Sequence, residues 1–285
     1  MTYTKYAFLI FSISLPLVSL AQTHSTTGPS AAVSLEELAR AKADLKRLLE
    51  FTDTPPAELN KSIGAPGTSF GAPSAYGASK GQGFVGLSGI YDYDGKNLDG
   101  HIDGSMSAGV GFGDPVKAVG IELSGNITSL TKSFGDSGQI GIKFHRVVNA
   151  TYRTSVAFAS TDASRWGQAK LVPHSQYVAI TSDLPIRLIG NYPLSVTLGA
   201  GNGNYRSAAS LAAGDNKPGV FGSVGTQLSE RTALSISQLG GRTNVGLGLT
   251  PFDAPISIMV GMTDTQNKSA AGKQVSVNVG YAFKF

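Results

Sequence analysis

The chain has no cysteine at all, so neither disulfides nor a lipid attached through a thiol contribute to it. Charge is also scarce. Asp, Glu, Lys and Arg together make up 15% of residues, against about a quarter in an ordinary soluble domain. The formal net charge of +4 is scattered, and no run of Lys and Arg is interleaved with aromatics, which excludes a nucleic-acid surface. Long hydrophobic runs are missing too. After residue 21 nothing approaches the roughly 18 continuous apolar residues of a membrane-spanning helix.

Glycine fills the gap, at 36 of 285 residues. From residue 81 onward the chain alternates, apolar then polar or tiny, with turn chemistry between the segments. A membrane barrel touches lipid with every second residue only, so its mean hydropathy falls near zero. Here it is +0.02. Residues 274–285, QVSVNVGYAFKF, show the pattern without a break. Val275, Val277, Val279, Tyr281, Phe283 and Phe285 share one face, and Gln274, Ser276, Asn278, Gly280, Ala282 and Lys284 share the other. With aromatics at its last three apolar positions, this segment resembles the terminal strand of bacterial outer-membrane proteins. The resemblance implies that Tyr281, Phe283 and Phe285 are read by the barrel assembly machinery.

Twelve alternating segments are expected, near 83–92, 102–112, 117–130, 139–147, 152–162, 175–182, 194–201, 220–228, 233–239, 243–250, 256–263 and 273–285. Counts of ten or fourteen stay open. If both termini are periplasmic, odd-numbered connections are external and longer. Five of the six odd connections are long and four of the five even ones short; 240–242 and 183–193 break the rule. Aromatics stand near segment ends, at Tyr91, Phe112, Tyr152, Phe252, Tyr281, Phe283 and Phe285, as a girdle would place them. A secreted soluble sandwich is the rival, but its strands run about 5–6 residues, whereas most segments here approach the 9–11 that cross a bilayer at a tilt. The fold expected is all-β: a closed antiparallel transmembrane β-barrel of about twelve strands over residues 82–285.

The first 21 residues read as a secretory signal, with Lys5, an apolar run over 7–20 interrupted by Pro16, and small residues before Gln22. Residues 22–81 form a separate periplasmic segment. Ser34 and Glu37 make a capping box for a short α-helix over 34–51, stopped before Pro55-Pro56. Leu38, Ala41, Leu45, Leu48 and Leu49 give it one apolar face. Leu38, Leu45, Leu48 and Leu49 are the expected contacts to a periplasmic partner or a second copy. Residues 62–82, rich in Gly, Ala, Ser and Pro, read as a flexible tether.

The pieces GFGDPVKAVGIEL (111–123), GIKFHR (141–146), LGAGNGNYRS (198–207), VFGSVG (220–225) and VGLGLTPFDAPISIMVGMTD (245–264) carry a second resemblance. They resemble an uncharacterised family of outer-membrane barrels, best populated in cyanobacteria. The likeness covers most of the barrel but neither the signal nor the helix, and the family has no established activity to carry over.

Chemistry is thinly signalled. A hydrolytic site needs a serine activated by a positioned histidine, and of His24, His101, His145 and His174 only His145 sits mid-strand on the lumen phase, flanked by charge and without a serine motif. No enzyme and no cofactor are expected. Asp92, Asp94 and Asp99 crowd one external loop but complete no EF-hand, so no metal site is assigned. On the lumen phase, small residues are joined by Glu122, Lys143, His145, Arg153, Gln227 and Arg242. A twelve-stranded wall of small residues leaves room for water or another element. With water inside, Glu122 opposed by Lys143, Arg153 and Arg242 would set a transverse field with a mild anion preference. The expected function is a passive channel for small hydrophilic solutes. The rivals are a structural or adhesive surface protein using external loops at 163–174 and 202–219, and an exporter docking a periplasmic partner.

Overall fold

The computed structural model describes residues 65–92, 103–128, 130, 134–189, 191–215, 217–269 and 272–285. The expected signal and the 34–51 helix, with Leu38, Leu45, Leu48 and Leu49, lie outside the described residues.

Twelve strands run in sequence order: β1 (Gln82–Asp92), β2 (Asp103–Gly113), β3 (Gly120–Ile127), β4 (Gly138–Asn149), β5 (Thr154–Trp166), β6 (Gln176–Leu184), β7 (Leu194–Gly201), β8 (Gly219–Ser229), β9 (Thr232–Leu239), β10 (Arg242–Leu249), β11 (Ile256–Thr263) and β12 (Gln274–Lys284). Each pairs antiparallel with its neighbours, and β1 pairs with β12 from Gln82↔Lys284 to Asp92↔Gln274, closing the barrel. Closure removes every sheet edge, which is the condition for strands to survive in hydrocarbon.

Alternation decides which residues face out. Leu87, Phe158, Val178, Leu198, Leu234 and Val279 are among many large apolar side chains left exposed on the outer wall. A band of that size has no place in water. Lipid is the solvent that suits it, so the barrel is read as membrane-embedded. Phe112, Val116, Val148, Phe252 and Phe285 stay exposed around the rim that carries the two barrel termini, here termed the terminus end. Aromatic and aliphatic residues at that level match an interfacial girdle.

One of the two irregular connections has a local cause. Between β9 and β10 only Gly240 and Gly241 intervene, with φ of 53° and 81°. Two successive left-handed residues make a tight primed hairpin turn, which needs no longer loop. Between β6 and β7, at the terminus end, residues 185–193 leave Leu188 and Ile189 exposed.

Candidate functional site

Residues 65–81, expected as a flexible tether, instead cross the lumen as a strap bonded to the wall. Glycine, alanine and serine made the segment look unstructured; the same small residues let its backbone approach the strands. Gly67 lies beside Gly248 and Met259, near the terminus end. Phe70 is 2% exposed and packs on Gly246 and Gly261, where an added Cβ would come within 2.3 and 2.5 Å of it. These two glycines face each other across β10 and β11. They form a floor for the ring.

Hydrogen bonds fix the strap along its length. Ser69 Oγ meets Ser223 Oγ at 3.2 Å, and Ser237 Oγ donates to the Phe70 carbonyl at 3.1 Å. Ala75 is fully buried, and its N–H donates to Thr181 Oγ1 at 2.8 Å. Ala78 N–H donates to Glu122 Oε2 at 2.8 Å, and Lys143 Nζ donates to the Tyr76 carbonyl at 3.0 Å. His145 Nε2 lies 3.0 Å from the Ala78 carbonyl. A carbonyl only accepts, so this nitrogen carries the proton. Finally Lys80 N–H donates to the Gly113 carbonyl at 2.9 Å before the chain enters β1.

The charged lumen residues are therefore occupied. Glu122 and Lys143 are register partners on β3 and β4 and pair at 3.6 Å, both largely buried. This corrects the expected transverse field: the two sit side by side on adjacent strands, not on opposite walls. Arg153 occupies the turn before β5 with φ 46°, a left-handed conformation uncommon for arginine. From there its guanidinium pairs with Asp183 at 3.0 Å and lies 5.0 Å from the centre of the Tyr76 ring. The ring contact ties the guanidinium to the strap. Gln227 stands on β8 opposite Ala233, and Arg242 opens β10 within electrostatic reach of Asp264. Neither joins the cluster around the strap.

A second obstruction comes from the loop end. The 202–219 connection, expected to reach outward, turns Tyr205 inward through a 3₁₀ turn at Gly203–Tyr205. Its fully buried ring lies 5.2 Å from Tyr177 and 5.3 Å from Phe221. Gly199 and Gly201 make room: a Cβ at either would meet the Phe221 or Tyr205 ring within 2.6 Å. Sequence reading missed this cluster and also Asp183. For Asp183 a signal existed, since it shares the lumen phase of Tyr177, Ala179 and Thr181 on β6.

At the terminus-end mouth a cavity of about 730 Å³ opens between the strap and the wall, bordered by Tyr76, Lys80, His145 and Arg153. Nearby, the backbone N–H groups of Lys117 and Val116 hold the Asp114 carboxyl below its usual pKa. Of the three aspartates of the first loop only Asp92 is described, and it is buried.

No family model matches the chain, and no curated protein matches it. Among solved structures it is similar to the outer membrane protein Omp33 of Acinetobacter baumannii, at 8% identity and a TM-score of 0.38, over 74% of this chain and 100% of that one. It is also similar to mutant forms of the Rh. blastica porin, one at 9% identity and a TM-score of 0.28 over 71% and 99% of the two chains. Scores this low carry no argument about activity. The barrel stands on its own strand pairing.

Proposed function

We propose that the chain is an outer-membrane barrel acting as a narrow passive channel for small hydrophilic solutes, with its bore set by the strap and not by the strand count. Twelve strands enclose more room than side chains of Ser, Gly, Ala and Thr fill. The observation that carries the reading is the division of that room. The strap crosses from β8–β11 past β6 to β2–β4, while space bordered by hydroxyl and amide groups persists against β1, β2, β11 and β12. Membership of the cyanobacterial-type barrel family belongs to this proposal, as do periplasmic termini and recognition of Tyr281, Phe283 and Phe285 by the assembly machinery. Gly67 sits near the terminus end. That favours a periplasmic site for the leucine face at 34–51 and for a partner or second copy bound to it.

Planar-bilayer recording of the refolded protein tests the reading. A small steady conductance is expected, rising several-fold when residues 22–81 are removed. Silence in both forms would overturn it.

A further inference from the structure

The space beside the strap has a chemistry of its own. Between strap residues 69–71 and strands β1, β2, β11 and β12 lies a cavity of about 350 Å³. Ser69, Ser88, Ser105, Ser107, Ser257 and Asn278 give it polar groups, and the rings of Phe70 and Phe84 border it. None of the described residues lining it carries a charge. A neighbouring cavity of about 190 Å³ shares Phe84 and Ser107 with it and continues toward Asn126 and Gln139.

Polar groups here lack protein partners. Ser88 is 8% exposed and its Oγ is unpaired; both amide atoms of Asn278 and the Oδ1 of Asn126 are unpaired as well. A polar atom without a protein partner is costly to leave bare, so such atoms mark where water or an occupant makes hydrogen bonds. Serine hydroxyls and a primary amide both donate and accept. The aromatic rings at its border add contact for C–H surfaces. A bare ion finds no countercharge in this lining; Glu122 and Lys143 border the neighbouring cavity and are paired with each other.

We propose that this cavity is a binding station for a neutral polyhydroxylated solute, a monosaccharide or small polyol, on the permeation path. The proposal rests on the channel reading and narrows it to a solute class. A solute with hydroxyls on its edge and C–H groups on its face fits the Asn278 and Ser88 groups and the Phe84 ring together. Inorganic ions pass through this station only with their water.

The test uses the refolded full chain in liposomes, with glucose as the probe and potassium chloride conductance as the control. Swelling in glucose is expected in the unmodified protein. Ser88→Ala with Asn278→Leu removes the hydrogen bonds without adding heavy atoms to the lining, and glucose entry falls about five-fold or more, the effect of roughly one kcal/mol, with chloride-salt conductance little changed. Equal glucose entry in the variant, or ion conduction with glucose excluded from the unmodified protein, overturns the station while leaving the channel standing. Conduction of neither overturns the channel itself. A second measurement needs no variant: glucose added to the unmodified pore lowers the salt current along a saturating curve. A strictly linear decline overturns the station.

Discussion

At the scale of single residues, the lumen shows how a charged side chain is kept in a membrane protein. Lys143 holds Glu122 at 3.6 Å and a strap carbonyl at 3.0 Å, so its charge is matched and its donors are used. Breaking such a pair from one side leaves the other charge buried, at a cost of about 3–5 kcal/mol, whereas removing both members is often near neutral. Glu122→Gln and Lys143→Met are therefore each expected to lower resistance to urea unfolding in detergent, and the double variant is expected to recover most of the loss. Equal and additive losses would show that the two do not act as a pair. Alternation along β3 and β4 put both residues on the lumen phase from sequence alone. Their partnership was not legible, because it depends on register, and register between strands is set by the whole sheet.

Among the elements, the strap and the wall are fitted to one another. Gly246 and Gly261 seat Phe70, while a Cβ at Gly225 or Gly111 would collide with the backbone of Thr68 or of Ala78. Gly246→Leu is thus expected to displace Phe70 and the strap, giving higher and noisier single-channel conductance while the barrel keeps its heat-modifiable gel mobility. Unchanged conductance would place the strap elsewhere. Strand elements were the legible part. β7 and β11 match their expected bounds, and the remaining strands differ by a few residues, because a period of two repeated over a long segment is hard to mimic. The strap was not legible. Residues 65–81 have no periodicity, and a Gly-, Ser- and Pro-rich composition describes a free tether as well as a chain lying against small wall residues. Its order comes from the wall, which is a tertiary property.

For the whole molecule, two insertions from opposite ends decide what the barrel can do. The strap enters from the terminus end and the Tyr205 turn from the other, and a cavity bordered by serine and amide groups remains beside the strap. The outside, apolar all round, and the closed strand order explain residence in a bilayer. The inside explains why strand number alone overstates the bore. The absence of native cysteine gives a clean background for locating the strap directly. Ser69 and Ser223, whose hydroxyl oxygens lie 3.2 Å apart, are separated by more than half the chain. With Ser69→Cys and Ser223→Cys introduced together, mild oxidation of the detergent-refolded protein is expected to form an intramolecular disulfide in nearly every molecule, seen as a mobility shift reversed by reductant. Two thiols that stay free and react fully with a maleimide after the same oxidation would contradict a strap inside the barrel.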